Sequence, residues 1–218
     1  MRPRNRAAWI RSSARSRTAR GVRPLLGGVR RGEPGAPVSG AGKSAENERI
    51  GLALEHARAE YPREACGLLV IRKGREVYRP CRNLAVGDDQ FIISPDDYEA
   101  AEGEGEIVGV VHSHPFIAPQ PSQADLVSCE ASGLAWHIVN VPTGLWHSFE
   151  PHGYVAPLVG RVFSHGVLDC YAIIRDWYAQ ERGIALPDFD RSDGWWHRGE
   201  NLYLDNFEKA GFSKCDTL

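Results

Sequence analysis

The chain has 218 residues, 42% hydrophobic and 25% charged, with a formal net charge of −2. That charge is unevenly placed, because residues 1–45 hold ten Arg and Lys43 against Glu33 alone, which leaves the rest strongly acidic. An acidic folded part excludes the basic footprint of a nucleic-acid binder, no apolar stretch approaches the ~20 residues of a membrane span, and five cysteines without CxxC spacing fit neither a disulfide framework nor a cysteine zinc cluster.

Residues 1–45 are rich in Arg, Gly, Ser and Pro without apolar periodicity, which predicts a disordered basic leader. An organellar transit peptide, a tail touching nucleic acid or membrane, and upstream sequence read from a misplaced start all account for it. Met1 is the only Met and order begins abruptly near Ala45, which favours the last.

From Glu46 the apolar positions Ile50, Leu52, Leu54 and Ala57 predict a helix that ends at Tyr61-Pro62. Two strands over 66–71 and 76–81 follow, joined at Lys73-Gly74, and Phe91-Ile92-Ile93 is a third. Ser94-Pro95-Asp96 opens a second helix, with proline in its first turn. The apolar run 106–112 reads as a strand, 122–132 as a helix, and 135–141 with 145–150 as a hairpin across Pro142-Thr143-Gly144. This mixture predicts an α+β domain of the α-β-α sandwich kind over 46–150, a linker over 151–164, and a mostly helical segment over 165–218, with helices at 167–183 and 201–211.

His112-Ser113-His114-Pro115 closes the most apolar strand. Two His at i and i+2 on an extended segment point to one face. Ser122 and Asp125, at i and i+3, share a face at the start of the next helix. Two imidazoles and one carboxylate leave a fourth tetrahedral position open, as a catalytic zinc site requires. Ser122 and Asp125 also suit an ordinary helix N-terminus, a role compatible with the catalytic one.

The pattern H-x-H-P-x6-S-x2-D, preceded by Glu64 in Pro62-Arg63-Glu64-Ala65-Cys66-Gly67, closely resembles the signature of JAB/MPN (JAMM) metallopeptidases over residues 46–150. The resemblance implies one zinc per chain held by His112, His114 and Asp125. Glu64 is then the general base and acid, and Ser122 stabilises the oxyanion or holds the water. Cys66 at a strand start reads as core packing rather than a nucleophile, and His137 and His147 as structural.

Cys170 stands near a helix start, where amide dipoles favour a thiolate. It also shares an apolar periodicity with Ile173, Ile174 and Trp177, which by itself predicts a core residue. Residues 160–218 resemble the N-terminal helical part of an NlpC-type cysteine peptidase, whose nucleophile matches Cys170. The chain stops before the sheet on which such enzymes carry the catalytic His, and neither His165 nor His197 occupies that place, so this unit reads as incomplete. A metal domain followed by an NlpC-type unit resembles tail-tip assembly proteins of lambda-like phages. The reading that follows is a zinc metallopeptidase cleaving a peptide or isopeptide bond, linked to cell-wall peptide hydrolysis. Its partners are a peptide substrate and other phage tail proteins, and it is made in the cytoplasm and carried to the virion tail. A structural docking protein of tail assembly, and a stand-alone protease for ubiquitin-like or sulfur-carrier proteins, are the alternatives.

Overall fold

The computed structural model describes residues 11–13 and 40–215, with side chains from 46 onward. In chain order the elements are β1 (Arg11–Ser13), α1 (Gly40–Glu60), β2 (Cys66–Arg72), β3 (Arg75–Cys81), β4 (Gln90–Ile92), α2 (Pro95–Glu104), β5 (Glu106–His114), α3 (Gln123–Ser132), β6 (Ala135–Asn140), β7 (Trp146–Phe149), α4 (Cys170–Arg182) and α5 (Leu202–Asn206). Most of the predicted leader lies outside the described residues. Of it, β1 pairs antiparallel with β4, and residues 40–45 form the first turns of α1, which begins ahead of the predicted start at Glu46.

Five strands form one sheet in the order β3-β2-β5-β6-β7. Only β5 and β6 are parallel, joined by a crossover through α3; the other neighbours are antiparallel. The β2–β3 hairpin turns on Lys73 and Gly74, with φ of 50° and 75°, the left-handed pair that a two-residue hairpin of this twist requires. Gly67 in β2 is there for close approach: a Cβ on it would meet the Tyr78 ring at 2.5 Å.

Strand β2 reads as a continuous apolar run because both of its faces are buried. On one face Cys66, Leu68, Val70, Val110 and Trp136 pack with Phe91 and Ile93, under Tyr98 and Ala101 of α2 and Cys129 of α3. On the other face, Leu69, Val111 and Val139 lie beneath Ala53 and Ala57 of α1. Helices thus cover both faces of the sheet, the expected α-β-α sandwich.

The C-terminal part is mostly helical with long irregular connections. The segment expected as a linker lies along α3. Glu130 Oε1 accepts from His152 N and Tyr154 N at 2.7 and 2.8 Å, and Gln123 Oε1 accepts from Val162 N at 2.9 Å. Ala156, Val167 and Leu168 are buried against Ala124. Helix α4 starts at Cys170, later than periodicity predicts, because Asp169 caps it by accepting from Tyr171 N and Ala172 N at 3.1 and 3.0 Å. The buried Arg191 guanidinium donates to Asp169 at 2.5 Å and to Asp188 at 2.7 Å. The helix expected over 201–211 is only the five residues of α5. A 3-10 turn at Trp195–His197 stands where a loop was expected.

Candidate metal centre

Strand β5 is apolar from Ile107 to Val111 and ends in His112, Ser113 and His114. All three are buried, the histidines on one face and the serine on the other. Helix α3 begins nine residues later under a capping box: Asp125 N donates to Ser122 Oγ at 3.1 Å, and Ser122 N donates to Asp125 Oδ2 at 2.6 Å. The cap orients the Asp125 carboxylate toward the histidines. His112 Nε2 stands 3.2 Å from Asp125 Oδ1, and His114 Nε2 stands 3.9 Å from Oδ2. One potential ligand atom from each residue lies within 4.8 Å of the others.

The polar atoms of this cluster are the test of what it holds. Both ring nitrogens of His112, Nε2 of His114 and both carboxylate oxygens of Glu64 are buried without a hydrogen-bond partner. His112 Nε2 is close to Asp125 without hydrogen-bond alignment, so the approach is a contact rather than a bond. Each unpaired buried polar group costs about 1–3 kcal/mol, and native proteins keep them few. Several of them converging on a carboxylate fit a divalent cation.

A hydrogen bond fixes the ring of His114, and ring packing fixes that of His112. His114 Nδ1 donates to the Ala118 carbonyl at 2.9 Å, which leaves the Nε2 lone pair facing the cluster. Burial, reinforced by the neighbouring His112, pulls the His114 pKa down to about 4. The His112 ring is stacked on Phe91, with centroids 4.8 Å apart at 26°, and meets Trp136 edge-on at 5.6 Å.

Glu64 reaches the same region from the loop between α1 and β2. Its carboxyl is held well above the usual range by burial first, then by the charges of Asp125 and Asp89. Backbone contacts set its place. Ala65 N donates to Ser113 Oγ at 2.8 Å, and Ser113 N donates to Ala65 O at 3.0 Å. Asn83 Nδ2 donates to the Glu64 carbonyl at 2.9 Å, and Arg63 Nη2 donates to the carbonyls of Asn83 and Ala85, each at 3.0 Å.

Beyond the cluster, Asn140 Nδ2 donates to Ile117 O at 2.7 Å and His114 O at 3.3 Å, holding the loop after β5. Asn83 and Asn140 were not singled out in the sequence, and Ser113 and Phe91 were read there only as members of strands. A serine between two histidines in an apolar strand was the one local signal that could have found any of them.

Of the remaining candidates, Ser122 is half-buried, its hydroxyl accepting the cap bond from Asp125 N. Cys66 is buried opposite His112 in the β2–β5 pairing, its thiol pushed well up by burial. His137 lies on the other sheet face, with Nδ1 2.8 Å from Ser148 Oγ. His147 stacks on Phe149 at 6.1 Å. Cys170 is exposed, which corrects the core role that its periodicity predicts. Ile173, Ile174 and Trp177 on the same helix are partly exposed as well, at 37%, 43% and 38%. His165 Nε2 is 3.4 Å from the Ser192 carbonyl and 3.8 Å from Asp193.

A family model described as prokaryotic homologs of the JAB domain matches residues 49–151. The tail tip assembly protein K of Escherichia phage N15 is 42% identical over 167 residues, covering 76% of this chain and 67% of that protein. The tail tip assembly protein K of Escherichia phage lambda is 48% identical over 121 residues, covering 55% of this chain and 57% of that one. This chain therefore spans two thirds or less of these relatives. Among solved structures, the solution structure of a protein from Desulfitobacterium hafniense is 26% identical over 46% of this chain and 77% of its own, with a TM-score of 0.41. On the N15 relative and the family model together, the chain belongs to the phage tail tip assembly protein K family and carries a JAB domain.

Proposed function

We propose that the JAB domain is a zinc-dependent peptidase that cleaves a peptide or isopeptide bond during assembly or action of a phage tail tip. The observation that carries this reading is the buried cluster of His112, His114 and Asp125, whose ligand atoms lie within 4.8 Å of one another beside unpartnered nitrogens and the unpartnered Glu64 carboxyl. His112, His114 and Asp125 would hold the zinc ion, with His112 Nε2 3.2 Å from Asp125 Oδ1 and His114 Nε2 3.9 Å from Oδ2. Three protein ligands suit an open site, where zinc supplies Lewis acidity and makes water acidic near neutral pH.

The chain's own groups supply the proton handling. Glu64 takes the proton of the attacking water and returns it to the nitrogen of the leaving amine. A carboxyl whose affinity for protons is raised by burial and by Asp125 suits both steps. Ser122 donates its hydroxyl proton to the developing oxyanion while keeping its cap contact with Asp125. We propose further that Cys170 belongs to an NlpC-like unit linked to cell-wall peptide cleavage.

The relatives' names favour a second reading, in which the folds dock other tail proteins and hydrolysis is incidental. Exposed Ile173, Ile174 and Trp177 on α4 suit such contacts.

Elemental mass spectrometry of the purified chain, with a His112→Ala/His114→Ala variant beside it, tests the metal. The expected result is one zinc per parent chain and almost none in the variant. A folded parent that takes up no zinc when it is supplied overturns the peptidase reading and leaves docking in front.

A further inference from the structure

Large apolar side chains are exposed on the loop that carries Glu64 and on the loop that follows His114. Tyr61 lies three residues before Glu64, and Phe116 lies two residues after His114. Their rings meet with centroids 5.5 Å apart at 57°, joining the loop of the proposed base to the loop of a proposed ligand. Yet they stay 51% and 62% exposed. Leu84 and Val86, on the loop after β3, are 50% and 77% exposed. That loop is tied to the same place by the bonds from Arg63 to the carbonyls of Asn83 and Ala85, and from Asn83 to the carbonyl of Glu64.

A scattered exposed apolar residue is ordinary. Four of them lie on three loops that hydrogen bonds and one ring contact tie to the segment carrying Glu64, and exposed apolar side chains grouped in this way mark a binding site. Chain length limits the distances: three residues span at most ~11 Å and two at most ~7 Å. Short chain segments therefore hold the aromatic pair near Glu64 and His114. Two stiff aromatic rings also offer contact area at low entropic cost.

We infer that Tyr61 and Phe116, with Leu84 and Val86 on the neighbouring loop, form an apolar subsite that selects a polypeptide segment with a bulky apolar side chain next to the cleaved bond. This inference rests on the peptidase reading of the same site. The occupant is a protein segment rather than a cell-wall stem peptide. A stem peptide is short, has little apolar surface and carries several carboxylates. On the loop that carries Leu84 and Val86 it meets exposed Asp88 and the neighbouring Asp89, whose charge acts on Glu64.

The test reads binding as well as turnover. Two fluorescein-labelled decapeptides in a Gly/Ser background, one with a central phenylalanine and one with alanine, are titrated by anisotropy against the full zinc-loaded chain. The tripeptide L-Ala-γ-D-Glu-meso-diaminopimelate serves as competitor. The phenylalanine peptide should bind at least about tenfold tighter, the scale on which an apolar pocket discriminates. Tyr61→Ala and Phe116→Ala should each bring the ratio close to one with zinc content unchanged, and Phe116→Leu should restore part of it. Equal binding of the two peptides, binding of neither, or stronger binding by the stem peptide overturns the inference. A chain that prefers phenylalanine but holds no zinc sinks the peptidase reading instead.

Discussion

Ser113 and Ala65 are joined twice, the hydroxyl of Ser113 accepting from Ala65 N at 2.8 Å and the Ala65 carbonyl accepting from Ser113 N at 3.0 Å. Ser113 lies between the two histidines of the cluster and Ala65 follows Glu64, so this pair fixes the Glu64 segment beside the strand that carries the histidines. Ser113→Ala leaves a buried N–H unpaired, which should cost about 1–3 kcal/mol in urea denaturation. Zinc content should stay the same while peptide turnover falls. An unchanged turnover rate would remove Ser113 from the positioning of Glu64.

Asp125 both caps α3 and faces the histidines. Asp125→Asn keeps an oxygen that accepts from Ser122 N but removes the charge. The helix should persist in circular dichroism while zinc affinity falls steeply. The parent should gain about 2.7 kcal/mol when zinc is at a hundred times its Kd, and the variant at that concentration far less. Equal zinc stabilisation of the two would exclude Asp125 as a ligand.

Without metal, pH should separate Glu64 from the buried histidines. His114 and His137 are each pulled down to about 4, by burial first. Between pH 4 and 6.5 the unfolded chain binds more protons at these rings, so their contribution is lost as pH falls through that window. Glu64, raised by burial and by Asp125, acts in the opposite sense, and its contribution is lost as pH rises above about 4.5 toward its folded pKa. Glu64→Gln should therefore steepen the rise of stability from pH 4.5 to 6.5, measured by urea denaturation of the metal-free protein. Parallel profiles would show that Glu64 is not protonated in the fold. With zinc, the same variant should keep its metal and lose about 10²–10⁴-fold in turnover.

Phe91 is fully buried and stacked on His112. Phe91→Ala should cost about 3–5 kcal/mol and, by freeing the ring, weaken zinc binding. Phe91→Leu should recover most of the stability and less of the zinc affinity. Full zinc affinity in both variants would reduce Phe91 to packing alone.

Local signals made much of the centre legible. Alternation along β5 put His112 and His114 on one face, and the i, i+3 spacing of Ser122 and Asp125 announced both the cap and its carboxylate. These relationships lie within one strand and one helical turn, where backbone geometry alone decides direction. The strand and helix order of the JAB domain followed from periodicities of the same short range. Tertiary structure decided the rest. Glu64 comes near the His112, His114 and Asp125 cluster only because β2 pairs with β5, which brings Ala65 to a residue 48 positions away. The packing of residues 151–168 along α3 depends on single side chains, Glu130 and Gln123, accepting backbone N–H groups that no pattern marks. Periodicity gave α4 an apolar face, yet Cys170 on it is exposed. A helix's sequence specifies which side is apolar, whereas its burial depends on whether another element packs there, and that is a property of the whole fold.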